Sequence, residues 1–126
     1  VHDLFALESA GDYAGMVALM ADDIEFDLAY APEGIRTPIH GRDAMAQLID
    51  TIIAGTFETF TAEITDTYQG ADPEVIVVEY RSDAVVKHNG KRYNNRYIAV
   101  FKIRDGKIVF WREYHNPDEA NRALAR

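Results

Sequence analysis

Arg96-Tyr-Ile-Ala-Val-Phe-Lys-Ile-Arg-Asp-Gly-Lys-Ile-Val-Phe-Trp-Arg-Glu-Tyr-His-Asn-Pro117 is the stretch on which the reading of this chain turns. Two runs rich in β-branched and aromatic residues flank Asp105-Gly106, a pair whose tolerance of positive φ marks a tight hairpin. The second run ends in a carboxylate, Glu113, between Trp111 and His115. A carboxylate on an otherwise apolar face is costly unless it is paired or used. Glu113 is therefore the expected chemical centre, and the rest of the chain the box that holds it.

Outward from that hairpin, Asn89-Gly90 turns a strand over Val75–Lys87 into one over Arg92–Ile103, and Asp105-Gly106 turns that into Lys107–His115. A half-buried strand over Phe57–Tyr68 alternates Thr and Glu with Phe60, Ala62, Ile64 and Tyr68. Upstream, Met45, Leu48, Ile49, Ile52 and Ile53 recur at helical spacing from Arg42, and Gly55 stops them. A short strand is expected over Ile24–Leu28, then a Pro- and Gly-punctuated loop, Ala29 to Pro38. Residues 2–20 read as two helical pieces broken near Gly11, with Asp12 capping the second. Asn116-Pro117-Asp118 opens a last short helix.

Helices followed by a long meander predict an α+β domain. Its curved antiparallel sheet carries the N-terminal helices on its concave face, a cone-shaped, cystatin-like α+β barrel with a pocket between the layers. At 126 residues one domain, 1–126, is expected. The chain starts at Val1 in what already reads as helix, so a short N-terminal piece is expected to be missing. No apolar run approaches the ~20 residues that span a bilayer. A net charge of −8 argues against nucleic acid and anionic membranes as partners. The absence of cysteine rules out thiolate chemistry and makes a cytoplasmic setting the expectation. Four scattered histidines, His2, His40, His88 and His115, lack metal-ligand spacing, so neither a metal nor a cofactor is expected.

Turn length sets register. If both hairpins close through three-residue loops, Arg81 faces Tyr97 and Tyr97 faces Glu113, while Asp83 faces Asn95 and Asn95 faces His115. Val77, Phe101 and Val109 then align toward the apolar end. With two residues in each turn the middle partners change, but Arg81 still lies across from Glu113; the pairing requires only that both turns have the same length. An arginine bridging two carboxylates can push their pKa values apart, leaving one an acid and the other a base. The catalytic set expected from the register is Arg81, Asp83 and Glu113. Tyr97, Asn95, His115 and Trp111 are expected to meet the substrate. Tyr97 reads rather more as a core aromatic than as a donor to a substrate oxygen.

These residues resemble a known family. Gly106-Lys-Ile-Val-Phe-Trp-Arg-Glu-Tyr114, Gly41-Arg42-Asp43-Ala44, and Tyr93-Asn94 followed by Val100-Phe101 resemble limonene epoxide hydrolases and SnoaL-like polyketide cyclases of the nuclear transport factor 2-like superfamily. In those hydrolases an Arg-x-Asp pair and a last-strand Asp form the catalytic set. The resemblance thus implies Arg81 and Asp83 for the pair and Glu113 for the last carboxylate. Glu113 is one methylene longer than the hydrolase Asp, and Phe26 and Leu28 stand near the places of the Tyr and Asn that hold the hydrolytic water, so the resemblance implies that Phe26, Leu28 and the nearby Tyr30 meet the substrate. The Tyr30-Ala-Pro-Glu-Gly loop and the Arg-Glu-Tyr-His-Asn-Pro ending look more like phenazine-biosynthesis A/B proteins, in which a Glu at the position of Glu113 acts as acid/base.

The expectation is a cofactor-free acid–base enzyme acting on a small apolar metabolite, with Glu113 as base, Asp83 as acid and Arg81 orienting both. The reaction would be an isomerisation, cyclisation or dehydration. Epoxide hydrolysis is the alternative, and a non-catalytic small-ligand-binding module the second alternative. Ile98, Val100, Ile108, Phe110 and Tyr114 on the convex face predict a homodimer.

Overall fold

The computed structural model describes residues 1–125; position 126, the end of the expected domain, lies outside them. The elements are α1 (His2–Ala10), α2 (Tyr13–Ala18), β1 (Met20–Leu28), β2 (Ile39–His40), α3 (Arg42–Ile49), β3 (Phe57–Gln69), β4 (Val75–Val86), β5 (Arg92–Tyr93), β6 (Arg96–Arg104), β7 (Lys107–His115) and α4 (Pro117–Leu124). Gly11 ends α1 in the left-handed region, and the Asp12 carboxylate caps α2 by accepting the Gly15 N–H. The strand expected from Ile24 begins four residues earlier, at Met20. α3 runs on into one π-helical turn, Asp50–Ala54, a widening that the 3.6-residue spacing does not foretell. Asn116 caps α4 and Pro117 opens it, as the sequence predicts.

The strands form one sheet in the order β2-β1-β7-β6-β4-β3, with β5 on β4. Neighbours run antiparallel except β1 and β7, which pair in parallel and correct the expectation of a purely antiparallel sheet. The sheet wraps around α1 and α3, whose Leu4, Phe5, Met45 and Ile49 join Val78, Tyr80, Ala99, Phe101 and Trp111 in the main core. The Phe5 ring lies 4.2 Å from that of Tyr80 and edge-on to Phe101. Fixed aromatic geometry of this kind holds the first helix against the concave face.

Register is where the structure departs from expectation. The β4 turn is a four-residue loop, Lys87–Gly90, closed by Val86 N–H to Lys91 O and Gly90 N–H to Val86 O, each 2.9 Å. The Asn89 side chain accepts the Lys91 N–H and donates to Ala123 O, so the turn docks on the end of α4. The second turn has two residues, Asp105 and Gly106, with φ of 53° and 76° as a type I′ turn requires. A bulge follows: Ile103 faces Ile108 but Lys102 faces Phe110, leaving Val109 as the extra residue.

The two turns therefore differ in length, which removes the condition on which the Arg81–Glu113 pairing rested. The observed rows are Val78–Ala99–Glu113 and Tyr80–Tyr97–His115. Arg81 instead faces Arg96, and Val77 faces Val100 on the outer side. A slip of one residue sends every side chain of a strand to the opposite face. The bulge also turns Ile108 inward, where it is 3 % exposed, so it leaves the convex face on which it was expected. Ile98, at 39 % exposure, remains there, with Phe110 beneath the Arg112 guanidinium at 5.0 Å.

Candidate functional site

Between the sheet and the helices lies a cavity of about 600 Å³. Phe26 and Leu28 of β1, the Tyr30–Ile35 loop, α3 with its π-helical turn, and α4 close its sides. Trp111, Glu113 and His115 line it at alternate positions of β7, as the period of a strand demands. Among the further side chains that reach it, Tyr80 from β4 and Glu8 from α1 carry polar groups that the sequence reading did not assign to the site.

Glu113 sits in this apolar wall with its Oε1 accepting the Tyr80 hydroxyl. Ala99 stands between Val78 and Glu113 in the sheet, and its small methyl leaves room for Tyr80, from the adjacent row, to reach Glu113 diagonally. Burial pushes the Glu113 pKa up to about 8, and the neighbouring charge of Glu8 adds to the rise. Glu8 is 5 % exposed and burial alone pushes it up to about 8. His115 is shifted the other way, below its ordinary value, because burial penalises the imidazolium. No lysine or arginine stands among the described residues of the lining, so nothing in the wall offsets a carboxylate charge.

Seven of the ten expected site residues meet at this cavity: Glu113, His115, Trp111, Tyr97, Tyr30, Phe26 and Leu28. Tyr97 presents its ring to the cavity, stacked on Tyr80 at 4.6 Å, but its hydroxyl is engaged with Ser82 Oγ at 2.9 Å and Tyr93 Oη at 3.3 Å. Burial raises its pKa and keeps it a neutral phenol. Phe26 packs edge-on against Trp111. The Trp111 Nε1–H and the His115 Nδ1 are buried without a hydrogen-bond partner among the described residues.

The other three do not reach the cavity. Arg81 points out of the sheet and pairs with Glu63 at 3.0 Å. Asp83 is exposed, with Arg92 4.0 Å away. The expected Arg81–Asp83–Glu113 constellation is therefore not assembled, because two of its members face solvent. Asn95 is 1 % exposed and spends its whole amide on structure. Its Nδ2 donates to Tyr93 Oη and Asn116 O, and its Oδ1 accepts from the Arg96 and Asn116 N–H groups, tying the start of β6 to the end of β7.

Two signals in the sequence mark the residues that were missed. In β4, Val78, Tyr80, Ser82, Ala84 and Val86 alternate with Glu79, Arg81 and Asp83, and that alternation alone sends the charges outward. In α1, Glu8 follows Leu4 by four residues and Phe5 by three, a place that helical spacing reserves for an apolar side chain. A carboxyl where the pattern asks for leucine is a site candidate for the same reason as Glu113.

Residues 1–111 match the sequence profile of the SnoaL-like domain. An uncharacterised PhzA/B-like protein of Pseudomonas aeruginosa is 32 % identical over 119 residues, spanning 93 % of this chain and 81 % of that protein. The uncharacterised YesE of Bacillus subtilis is 34 % identical over 107 residues, 84 % of this chain and 71 % of its own. Among solved structures, a candidate isomerase from Bacillus subtilis superposes with a TM-score of 0.86 at 30 % identity, covering 97 % of this chain and 87 % of that one. A nuclear transport factor 2-like protein of Burkholderia pseudomallei reaches the same TM-score at 17 % identity, over 99 % and 94 % of the two chains. Two Mycobacterium tuberculosis structures share the fold at lower likeness. One is an epoxide hydrolase like the limonene enzymes, with a TM-score of 0.73 at 22 % identity over 98 % of this chain and 84 % of that one. The other, solved with estradiol-17β-hemisuccinate, has a TM-score of 0.77 at 24 % identity over 94 % and 92 %. The curled α+β sheet is thus that of the nuclear transport factor 2-like proteins, and with the profile running from the first helix into the last strand, the chain belongs to the SnoaL-like domain family.

Proposed function

We propose that the protein is a cofactor-independent acid–base enzyme that moves a proton on a small, mostly apolar carbonyl compound. The observation that carries this reading is Glu113, a carboxyl held by Tyr80 in an apolar cavity with its pKa raised to about 8. A base tuned toward neutral pH has both an ionised form to accept a proton and a protonated form to return it. Tyr80 holds one carboxyl oxygen and leaves the other for the substrate. The Glu113 carboxylate takes the proton from the carbon beside the carbonyl, the electron pair enters the enolate, and the proton is returned at the same or another atom. Isomerisation, cyclisation and dehydration all begin with that step. The family membership and the steroid ester bound by a protein of the same fold support an apolar, ring-containing occupant.

Epoxide hydrolysis is less well supported by the wall of this cavity. Phe26 and Leu28 are apolar where a water would have to be held, and Arg81 and Asp83 face outward. Deuterium exchange at the α-carbon of cyclic ketones, followed by NMR in heavy water, tests the proposal. Wild-type protein is expected to accelerate exchange, and Glu113→Gln to lose it by about 10²–10⁴-fold. Equal exchange by both proteins sinks it. Diol from terpene epoxides carrying label from heavy-oxygen water would support the hydrolase instead. Apolar ligands that raise the melting temperature without any turnover would leave a binding module.

The outer face retains Ile98, Val100, Phe110 and Tyr114 around the Arg112–Asp27 ion pair. We propose that this face pairs two copies of the chain. A monomer by light scattering at micromolar concentration removes that part of the reading.

A further inference from the structure

Tyr80 holds the Glu113 carboxyl, and among the described residues no second hydrogen bond fixes the direction of its hydroxyl. Two neighbouring rings hold it instead. Phe5 of α1 lies 4.2 Å away, tilted by 41°, and Tyr97 of β6 lies 4.6 Å away, parallel to within 7°. We propose that Tyr97 is a positioning residue: anchored by a buried hydrogen-bond network, its ring keeps the Tyr80 ring at the angle that brings the Tyr80 hydroxyl onto Glu113. The inference rests on the acid–base reading of Glu113 and goes beyond it, to the side chains that set its geometry.

Tyr80 and Tyr97 are direct partners across β4 and β6, and the period of the two strands turns both rings inward. The Tyr97 hydroxyl stands 2.9 Å from Ser82 Oγ and donates to Tyr93 Oη at 3.3 Å. Both of those oxygens are held in turn by Asn95: Ser82 Oγ accepts its backbone N–H at 3.1 Å, and Tyr93 Oη accepts from its Nδ2 at 2.8 Å. Asn95 is bound at both ends of its amide to the backbone of Asn116, where β7 gives way to α4. The four side chains are between 1 % and 9 % exposed. The Tyr97 ring therefore hangs between two fixed points, its backbone in the sheet and its hydroxyl in this network.

Packing alone does not ask for such an arrangement. A phenylalanine at position 97 would stack on Tyr80 as well, and it would spare the desolvation of a buried hydroxyl. What a fully satisfied polar network adds is rigidity and a single geometry. No hydrogen bond among the described residues joins the network to Glu113, so its effect on the carboxyl passes through the stacked rings. That effect has a sign. A hydroxyl donated to Glu113 favours the ionised carboxyl. A Tyr80 ring that drifts from its place leaves Glu113 harder to ionise, and the acid limb of the pH–rate profile moves to higher pH. A misplacement of about 1 Å near the reacting atoms costs up to about 100-fold in rate.

The test follows α-hydrogen exchange of a cyclic ketone in heavy water across pH. It compares wild type, Tyr97→Leu, Tyr97→Phe, Tyr80→Phe and the Tyr80→Phe/Tyr97→Leu double variant. Tyr97→Leu is expected to lower kcat by about tenfold with KM within about threefold, and to raise the acid-limb midpoint by about half a pH unit or more. Tyr97→Phe keeps the stacked ring and loses only the anchor, so its rate should fall by only about threefold, with a midpoint displaced the same way. The double variant should be no slower than the slower of its parents, because both changes remove the same contact. Losses that multiply in the double variant overturn the proposal, and so does a wild-type midpoint in Tyr97→Leu. If Tyr97→Leu does not fold, the midpoint of Tyr97→Phe decides by the same criterion. If wild type exchanges no α-hydrogen, the Glu113 reading falls, and the positioning is judged on the titration of the ¹³C-labelled Glu113 carboxyl. A midpoint that rises in Tyr97→Phe as it does in Tyr80→Phe supports the link, and one that stays put refutes it.

Discussion

Glu113 and Glu119 are six residues apart, and the fold drives them in opposite directions. Glu113 faces the cavity, has a tyrosine hydroxyl for company, and titrates near 8. Glu119 lies in the first turn of α4 with Arg122 in a two-point pair and the Asn94 N–H on its Oε2, and its pKa is pulled down to about 2. The side chains are identical. What differs is whether a charge-stabilising partner or an apolar wall faces the carboxyl. The same contrast separates Glu8 from Glu63: the cavity makes the Glu8 carboxyl reluctant to ionise, whereas Glu63 on the outer face has the Arg81 guanidinium beside it.

The comparison breaks most directly at Glu113 itself, where the amide variant is expected to remove the proton transfer, as set out above. Next comes stability against pH. Glu8 and Glu113 have folded pKa values above the ordinary 4.5, so the folded state holds more protons between 4.5 and about 8. Stability should therefore fall as pH rises through that window, by up to roughly 1.4 kcal/mol per pH unit for each group. Calorimetric melting across the range reads the slope, and Glu8→Gln should remove about half of it. A flat profile would mean that neither carboxyl is held neutral. Glu119 has the opposite sign: its contribution is complete above 4.5 and is lost as the pH falls through about 2.

Tyr80→Phe sharpens the inner half of the comparison. Losing the hydroxyl frees the Glu113 oxygen it holds, and turnover is expected to drop by about tenfold with little change in melting temperature. On the outer side, Glu119→Gln breaks the Arg122 pair and weakens acceptance of the Asn94 N–H. Melting should fall by only a few degrees with activity unchanged. Smallest of all, Arg81→Ala and Asp83→Asn should leave turnover within about twofold of wild type, since both face solvent. A hundredfold loss from either would restore the catalytic set expected from the sequence and overturn the observed register as a guide to function.

Much of the architecture was legible before any coordinates. The two broken N-terminal helices, the Asp12 and Asn116 caps, the α3 stripe and the three long meander strands follow from period, caps and turn residues, all local properties. So did Glu113 with Trp111 and His115 on one face, because alternation within a single strand needs no knowledge of its neighbours. The pairing across strands was misread because it depends on loop length and bulges. Asn89-Gly90 marks a turn without saying that Lys87 belongs to it, and nothing local announces the extra residue at Val109. The alternation of β4 held the better clue, since its charged members Glu79, Arg81 and Asp83 share one face.

By itself, then, the sequence determined the elements, the α+β class and one carboxyl, Glu113, on an apolar strand face, because these rest on the chemistry of residues a few positions apart. Only the tertiary structure decided that Tyr80 rather than Arg81 meets that carboxyl. It alone brought Glu8, more than a hundred residues away in the chain, to the same cavity. Those contacts depend on the register of whole strands and the packing of a helix across them, and one extra residue in a turn is enough to exchange the face that reaches the substrate for the one that reaches water.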